Sequence, residues 1–161
     1  MARNVFYSFH YQKDGWRASK VRNIGVVEGN PPATDNKWEE VKRGGDGAIQ
    51  AWIDGQLTNR TCTIVLVGAD TADRRWVKYE IEKSWNNGKG VLGIRIHRLL
   101  DHNQQASVAG ANPFDAFSVN DGRKLSSLVK LYDPPYSASA DVYDHISKNI
   151  ASWIESAIGD R

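Results

Sequence analysis

Thr61-Cys62-Thr63-Ile64-Val65-Leu66-Val67-Gly68 is a short, unbroken apolar run rich in β-branched residues and closed by glycine. Such a run reads as a strand buried on both faces, the kind found in a parallel sheet. A few residues on, the period changes. In Arg75-Trp76-Val77-Lys78-Tyr79-Glu80-Ile81 and its continuation, Val77, Ile81 and Trp85 recur at helical spacing, with Thr71 or Asp73 as the start and Asn86-Asn87-Gly88 as the stop. A buried strand leading directly into a helix is half of a crossover unit, which points to an α/β sheet wound with helices. Glu80 lies beside the apolar row, one turn after Trp76 and one turn before Ser84. A carboxylate at that place, on the helix that leaves a strand's carboxyl end, stands where open α/β sheets form their ligand crevices.

The pattern continues in both directions. Val5 to Phe9 is the first strand, and Asp14 is placed to cap a helix from about Gly15 to Ile24. Val26 to Gly45 has no clear period and contains Gly29, Pro31, Pro32, Gly44 and Gly45, so it reads as a long loop with at most one short strand. Asp46 then caps a helix whose Ile49, Trp52, Ile53 and Leu57 form one apolar face. Val91 to Ile96 is another strand. Leu100 to Lys124 is a polar insertion containing Asn112-Pro113-Phe114, whose place against the sheet or the pocket the spacing leaves open. Leu125 to Tyr132 holds the last strand, broken by Asp133-Pro134-Pro135. Ser137 or Ser139 caps a final helix in which Val142, Ile146, Ile150, Trp153, Ile154 and Ala157 bury one face. The expected architecture is a single domain over residues 1–161, a three-layer sandwich of about five parallel strands with helices on both faces, close to the flavodoxin-like class.

Composition narrows the functional classes. The chain has 161 residues and a net charge of only +2, with Lys and Arg scattered along it, so nothing calls for nucleic acid or an anionic membrane. Cys62 is the only cysteine and lies inside the apolar strand, where it is a small buried hydrophobe. No signal peptide is legible and no apolar run approaches membrane-spanning length, so a reducing cytoplasm is the expected compartment. His10, His97, His102 and His145 have no metal-ligand spacing, and no metal site is expected. Neither a P-loop nor a Gly-x-Gly-x-x-Gly fingerprint occurs.

Several motifs in order resemble a known family. Asn4-Val5-Phe6-Tyr7-Ser8-Phe9-His10 resembles the first strand and turn of TIR domains, and Arg75-Trp76-Val77-Lys78-Tyr79-Glu80-Ile81 resembles the run that carries the catalytic glutamate of NAD-cleaving TIR domains. Ser8-Phe9-His10-Tyr11-Gln12-Lys13-Asp14, Val21-Arg22-Asn23, Trp38-Glu39-Glu40-Val41-Lys42 and Asn112-Pro113-Phe114 look like the bacterial TIR-like family that includes the signalling subunit of Thoeris antiphage systems. The likeness runs from residue 4 to about residue 117.

The resemblance implies an enzyme that cleaves the nicotinamide–ribose bond of NAD and makes a cyclic ADP-ribose-type second messenger, read by a separate effector protein. NAD is then a substrate, and no cofactor is implied. Glu80 is the implied catalytic carboxylate. Ser8, Phe9, His10 and Tyr11 are implied to line the nucleotide site, with Trp76 and Trp38 as stacking partners. His10 stands where many TIR domains carry arginine, which leaves Arg17 as the substitute pyrophosphate ligand. Such enzymes complete their sites by self-association, so activity is expected to depend on assembly and on the Gly29 to Gly45 loop. The bland alternatives are a Glu80 carboxylate spent on Lys83, Ser84 or a helix cap, and Trp52, Trp76, Trp85 and Trp153 as ordinary core. The alternative function is a non-enzymatic TIR-like interaction module. A flavodoxin-like mononucleotide-binding or receiver domain is weaker, because the strands end in Ser, Phe and Gly and lack an acidic cluster.

Overall fold

The computed structural model describes residues 3–24, the backbone of residues 28 and 29, and residues 40–161. Its strands are β1 (Asn4–Ser8), β2 (Glu28–Gly29), β3 (Cys62–Val67), β4 (Gly90–Arg95) and β5 (Leu131–Tyr132). Its helices are α1 (Tyr11–Arg22), α2 (Gly45–Leu57), α3 (Arg75–Asn86) and α4 (Ser139–Gly159). The strands are parallel in the order β2-β1-β3-β4-β5, so the chain reverses its direction of winding between β1 and β3. β1, β3 and β4 form the body of the sheet, while β2 and β5 are two-residue edges.

Burial follows from side-chain alternation in a sheet covered on both sides. On one face Val5, Tyr7, Ile64, Leu66, Leu92 and Ile94 pack with Ala18 and Val21 of α1 and the Val142-Ile146-Ile150-Trp153-Ile154 row of α4. On the other face Val65, Val67 and Val91 meet Val77 and Ile81 of α3, and Phe6 meets Ile49, Ile53 and Leu57 of α2. All six β3 residues are buried, as an uninterrupted apolar run requires.

Several expected boundaries are corrected. Asp14 does not cap α1; His10 does, and the helix starts four residues earlier, with Asp14 buried in its first turn. Gly44, not Asp46, precedes α2, and Asp46 instead pairs with Arg75 at 2.6 Å. Thr71 to Asp73 form a separate 3-10 turn before α3, whose cap residue is Arg74. Ala138 takes the cap position of α4, and Ser139 spends its hydroxyl accepting from the Leu100 N–H at 3.2 Å. The strand expected over Leu125 to Tyr132 is only two residues long. Leu125 to Ser127 is a 3-10 turn and the Val129 N–H donates back to the Leu125 carbonyl at 2.9 Å, so both apolar residues reach the core from a helical turn. The polar insertion packs across the carboxyl ends of β3 and β4. A Cβ at Gly110 would fall 2.3 Å from the Gly68 carbonyl oxygen. Among the described residues no helix is long and apolar enough to cross a membrane, and no cluster of His, Cys, Asp and Glu is arranged to hold a metal.

Candidate active site

The crevice expected at a change of winding direction lies outside the carboxyl ends of β1 and β3. β1 ends at Ser8, and the chain turns through Phe9 and His10 into α1. α3 begins beside this turn and presents Glu80 from its second turn. The Ser8 hydroxyl donates to Glu80 Oε2 within the core; Ser8 is 1% exposed and Glu80 8%. Glu80 is therefore not the solvated helix carboxylate of the bland reading. Lys83 turns to Asp54 at 3.9 Å, and Ser84 donates to the Glu80 main-chain oxygen at 2.6 Å, leaving the carboxylate to Ser8.

Burial pushes the Glu80 carboxyl up to about 8, and the Ser8 hydrogen bond acts in the opposite direction. A carboxyl held so far from its ordinary value in a cleft makes Glu80 a candidate functional group. Glu80 closes the floor of a cavity of about 160 Å³ lined by Phe9, Tyr11, Gln12, Lys42, Trp52, Arg74, Trp76 and Val77. A larger cavity of about 440 Å³ lies near the start of β4 and contains none of these groups. Size alone is a poor guide here, since only the smaller cavity joins a perturbed acid to flat side chains.

The structure brings Phe9, Tyr11, Trp76 and Glu80 to one cavity, with Ser8 directly behind Glu80. Phe9 and Tyr11 are in ring contact, 4.6 Å between centroids. His10 is buried and does not line the cavity. Its Nδ1 accepts the Lys13 N–H at 3.4 Å, and burial, with the Arg74 charge second, lowers its pKa and keeps it neutral. Arg17 is not at the cavity either. It is 4% exposed, with Nε donating to the Leu99 carbonyl at 2.7 Å, Nη2 to the Gln105 carbonyl at 2.8 Å and Nη1 to Asp14 Oδ1 at 3.0 Å. Its role as a substitute phosphate ligand is not supported by this placement. Trp38 and most of the Gly29 to Gly45 loop lie outside the described residues.

Sequence reasoning missed Gln12, Lys42, Trp52 and Arg74. Trp52 sits on the apolar face of α2 and reads as core, yet it is half-buried and borders the cavity. Trp76 is also half-buried, with Arg75 over its ring at 4.6 Å and Tyr79 edge-on at 5.7 Å. Trp76→Ala is accordingly expected to cost about 1–2 kcal/mol, short of the roughly 3–5 kcal/mol of a fully buried indole. It should at the same time raise the KM for a ring-bearing ligand. Urea unfolding and steady-state kinetics on the same preparation check this, and an unchanged KM removes Trp76 from the stacking role.

Comparisons with known proteins identify the family. Residues 6–101 match the family model described as "Thoeris protein ThsB, TIR-like domain", a span that includes Ser8, Trp76 and Glu80. The chain is also 39% identical over 133 residues to a protein of Bacillus cereus (strain MSX-D12) named "Putative cyclic ADP-D-ribose synthase ThsB1", covering 78% of this chain and 69% of that relative. A family-model match over more than half of the chain, together with a relative of this identity, places the chain in the ThsB TIR-like domain family.

Proposed function

We propose that this chain cleaves the bond between nicotinamide and ribose in NAD and closes the remaining ADP-ribose into a cyclic second messenger for antiphage defence, read by a separate effector. The observation that carries the proposal is the buried Glu80 carboxyl on the floor of an aromatic-lined cavity. In the reaction the ribose C1′–N bond breaks and its electron pair leaves with nicotinamide, so positive charge develops on C1′ and the ring oxygen. Glu80, ionised opposite the cationic nicotinamide ring, stabilises that charge in a site of low dielectric. A nucleophilic atom of the same ADP-ribose then adds to C1′ and releases its proton to solvent. A bound substrate that fills this cavity would keep water from the reacting carbon and so favour internal closure over hydrolysis. Phe9, Tyr11, Trp52 and Trp76 supply flat surfaces for the rings.

The name carried by the Bacillus cereus relative supports this reading. The direct test is to incubate the purified chain with NAD, across concentrations that span self-association, and to resolve the products by chromatography and mass. Nicotinamide together with a cyclic ADP-ribose isomer is the expected result. Nicotinamide with linear ADP-ribose alone would make the chain a hydrolase, and no release at any concentration would favour an interaction module.

A further inference from the structure

A dinucleotide carries two negative charges between its rings, and a cavity of about 160 Å³ is smaller than the ligand pockets of about 300–1,000 Å³ that enclose drug-sized molecules. One ring end enters, and the pyrophosphate must cross the rim. The cations around the site differ in how they are engaged. Lys13 is paired with Asp70, Arg17 with Asp14, Asp101 and three main-chain carbonyls, and Arg75 with Asp46 and the face of Trp76, while Lys42, the other cation lining the cavity, is engaged as well. Arg74 lines the cavity, is exposed, and among the described residues its guanidinium has no hydrogen bond or ion pair. Its main chain is fixed at both sides, with N–H donating to the Thr71 carbonyl at 3.1 Å and the carbonyl accepting from Lys78 at 3.1 Å. The side chain therefore projects from a rigid helix start at the mouth of the Glu80 cavity. His10, neutral and turned to the start of α1, does not compete for that role.

We infer that Arg74 is the pyrophosphate ligand of this site, its planar fork binding phosphate oxygens at the rim while the nicotinamide end reaches Glu80, and that it thereby sets selectivity for a dinucleotide over a nucleoside. The inference rests on the NAD reading above and adds the residue that recognises the charged part of the substrate. The experiment compares NAD with nicotinamide riboside, which has the same scissile bond and no phosphate, in wild type, Arg74→Gln, Arg74→Lys and the control Lys13→Gln. Loss of one charge-assisted contact predicts a KM for NAD raised about 10- to 100-fold in Arg74→Gln, with kcat little changed. Turnover of the riboside should be unaltered, Arg74→Lys intermediate, and Lys13→Gln near wild type. The salt dependence of the NAD KM should weaken in Arg74→Gln. Equal losses on NAD and riboside, or an unchanged NAD KM, would overturn the inference. Should wild type fail to cleave NAD, ADP-ribose binding by calorimetry still decides: binding lost in Arg74→Gln and kept in Lys13→Gln upholds the ligand, and equal binding in both variants or none in wild type rejects it.

Discussion

Glu80→Gln is expected to lower nicotinamide release by roughly a hundred- to a thousandfold while raising the melting temperature near neutral pH. The two effects share one cause. Burial holds the Glu80 carboxyl at about 8 against an ordinary 4.5, so between those values the folded chain keeps a proton that the unfolded chain releases. Stability therefore falls as pH rises through this window, and is constant below it and above it. Each step of one in pH across the window removes about 1.36 kcal/mol, which makes the penalty about 3 kcal/mol at pH 7 and at most about 5 kcal/mol above pH 8. The amide has the carboxyl's shape and no charge to desolvate. The gain in melting temperature should be absent at pH 4, grow to pH 8 and then level off. Parallel wild-type and variant curves across that range would contradict the buried-acid account, and retained turnover would remove Glu80 from the chemistry.

Catalysis requires the ionised form, so kcat/KM for NAD should climb about tenfold per pH unit below 8 and level off above it. The cationic nicotinamide ring opposite Glu80 favours the carboxylate, which moves the break in kcat to lower pH than the break in kcat/KM. Ser8 donates the hydrogen bond that acts against burial. Ser8→Ala should therefore carry the kcat/KM break upward, a displacement that a purely structural serine would not produce.

How much of this was legible beforehand depends on the kind of interaction. β3 and α4 declare themselves because their burial is periodic: an uninterrupted apolar run in one, and residues 142, 146, 150, 153 and 154 on one face of the other. Glu80 was visible because a carboxylate beside an apolar row is anomalous within a single helix. The caps misled because Asp14 and Asp46 have the right chemistry at helix starts, yet Asp14 is bound to Arg17 and Asp46 to Arg75. Leu125 and Val129 carry strand-like side chains but reach the core from a helical turn. Arg17 could not be read at all. Besides Asp14 and Lys13 on its own helix, its acceptors are main-chain oxygens of Leu99 and Gln105, 82 and 88 residues away, in a segment without any period. Arg74 was hidden for the converse reason, since its significance lies in the partners its neighbours already have.

Arg17→Met should be the most destabilising single change outside the hydrophobic core, by roughly 3–5 kcal/mol, because breaking a buried pair strands the groups left behind. The carbonyls of Leu99, Gln105 and Lys13 lose their donor, Asp101 loses an ion pair at 3.7 Å, and the Asp14 carboxylate, which is 2% exposed and raised in pKa by burial even with Arg17 beside it, loses its cation. Its Oδ2 already has no hydrogen-bond partner and faces Gly68, where a Cβ would fall 2.1 Å away. Removing the charge as well should recover part of the loss. The double variant Asp14→Asn/Arg17→Met is expected to be more stable than Arg17→Met alone, and the deficit that persists combines the stranded carbonyls with the lost Asp101 pair. Amide exchange should quicken first over residues 97–110, the segment that Arg17 ties to α1. Below its lowered melting temperature the variant should retain the wild-type KM for NAD, since Arg17 reaches main-chain oxygens and not the cavity. A raised KM that Asp14→Asn does not relieve would return Arg17 to the nucleotide site and displace Arg74 from it.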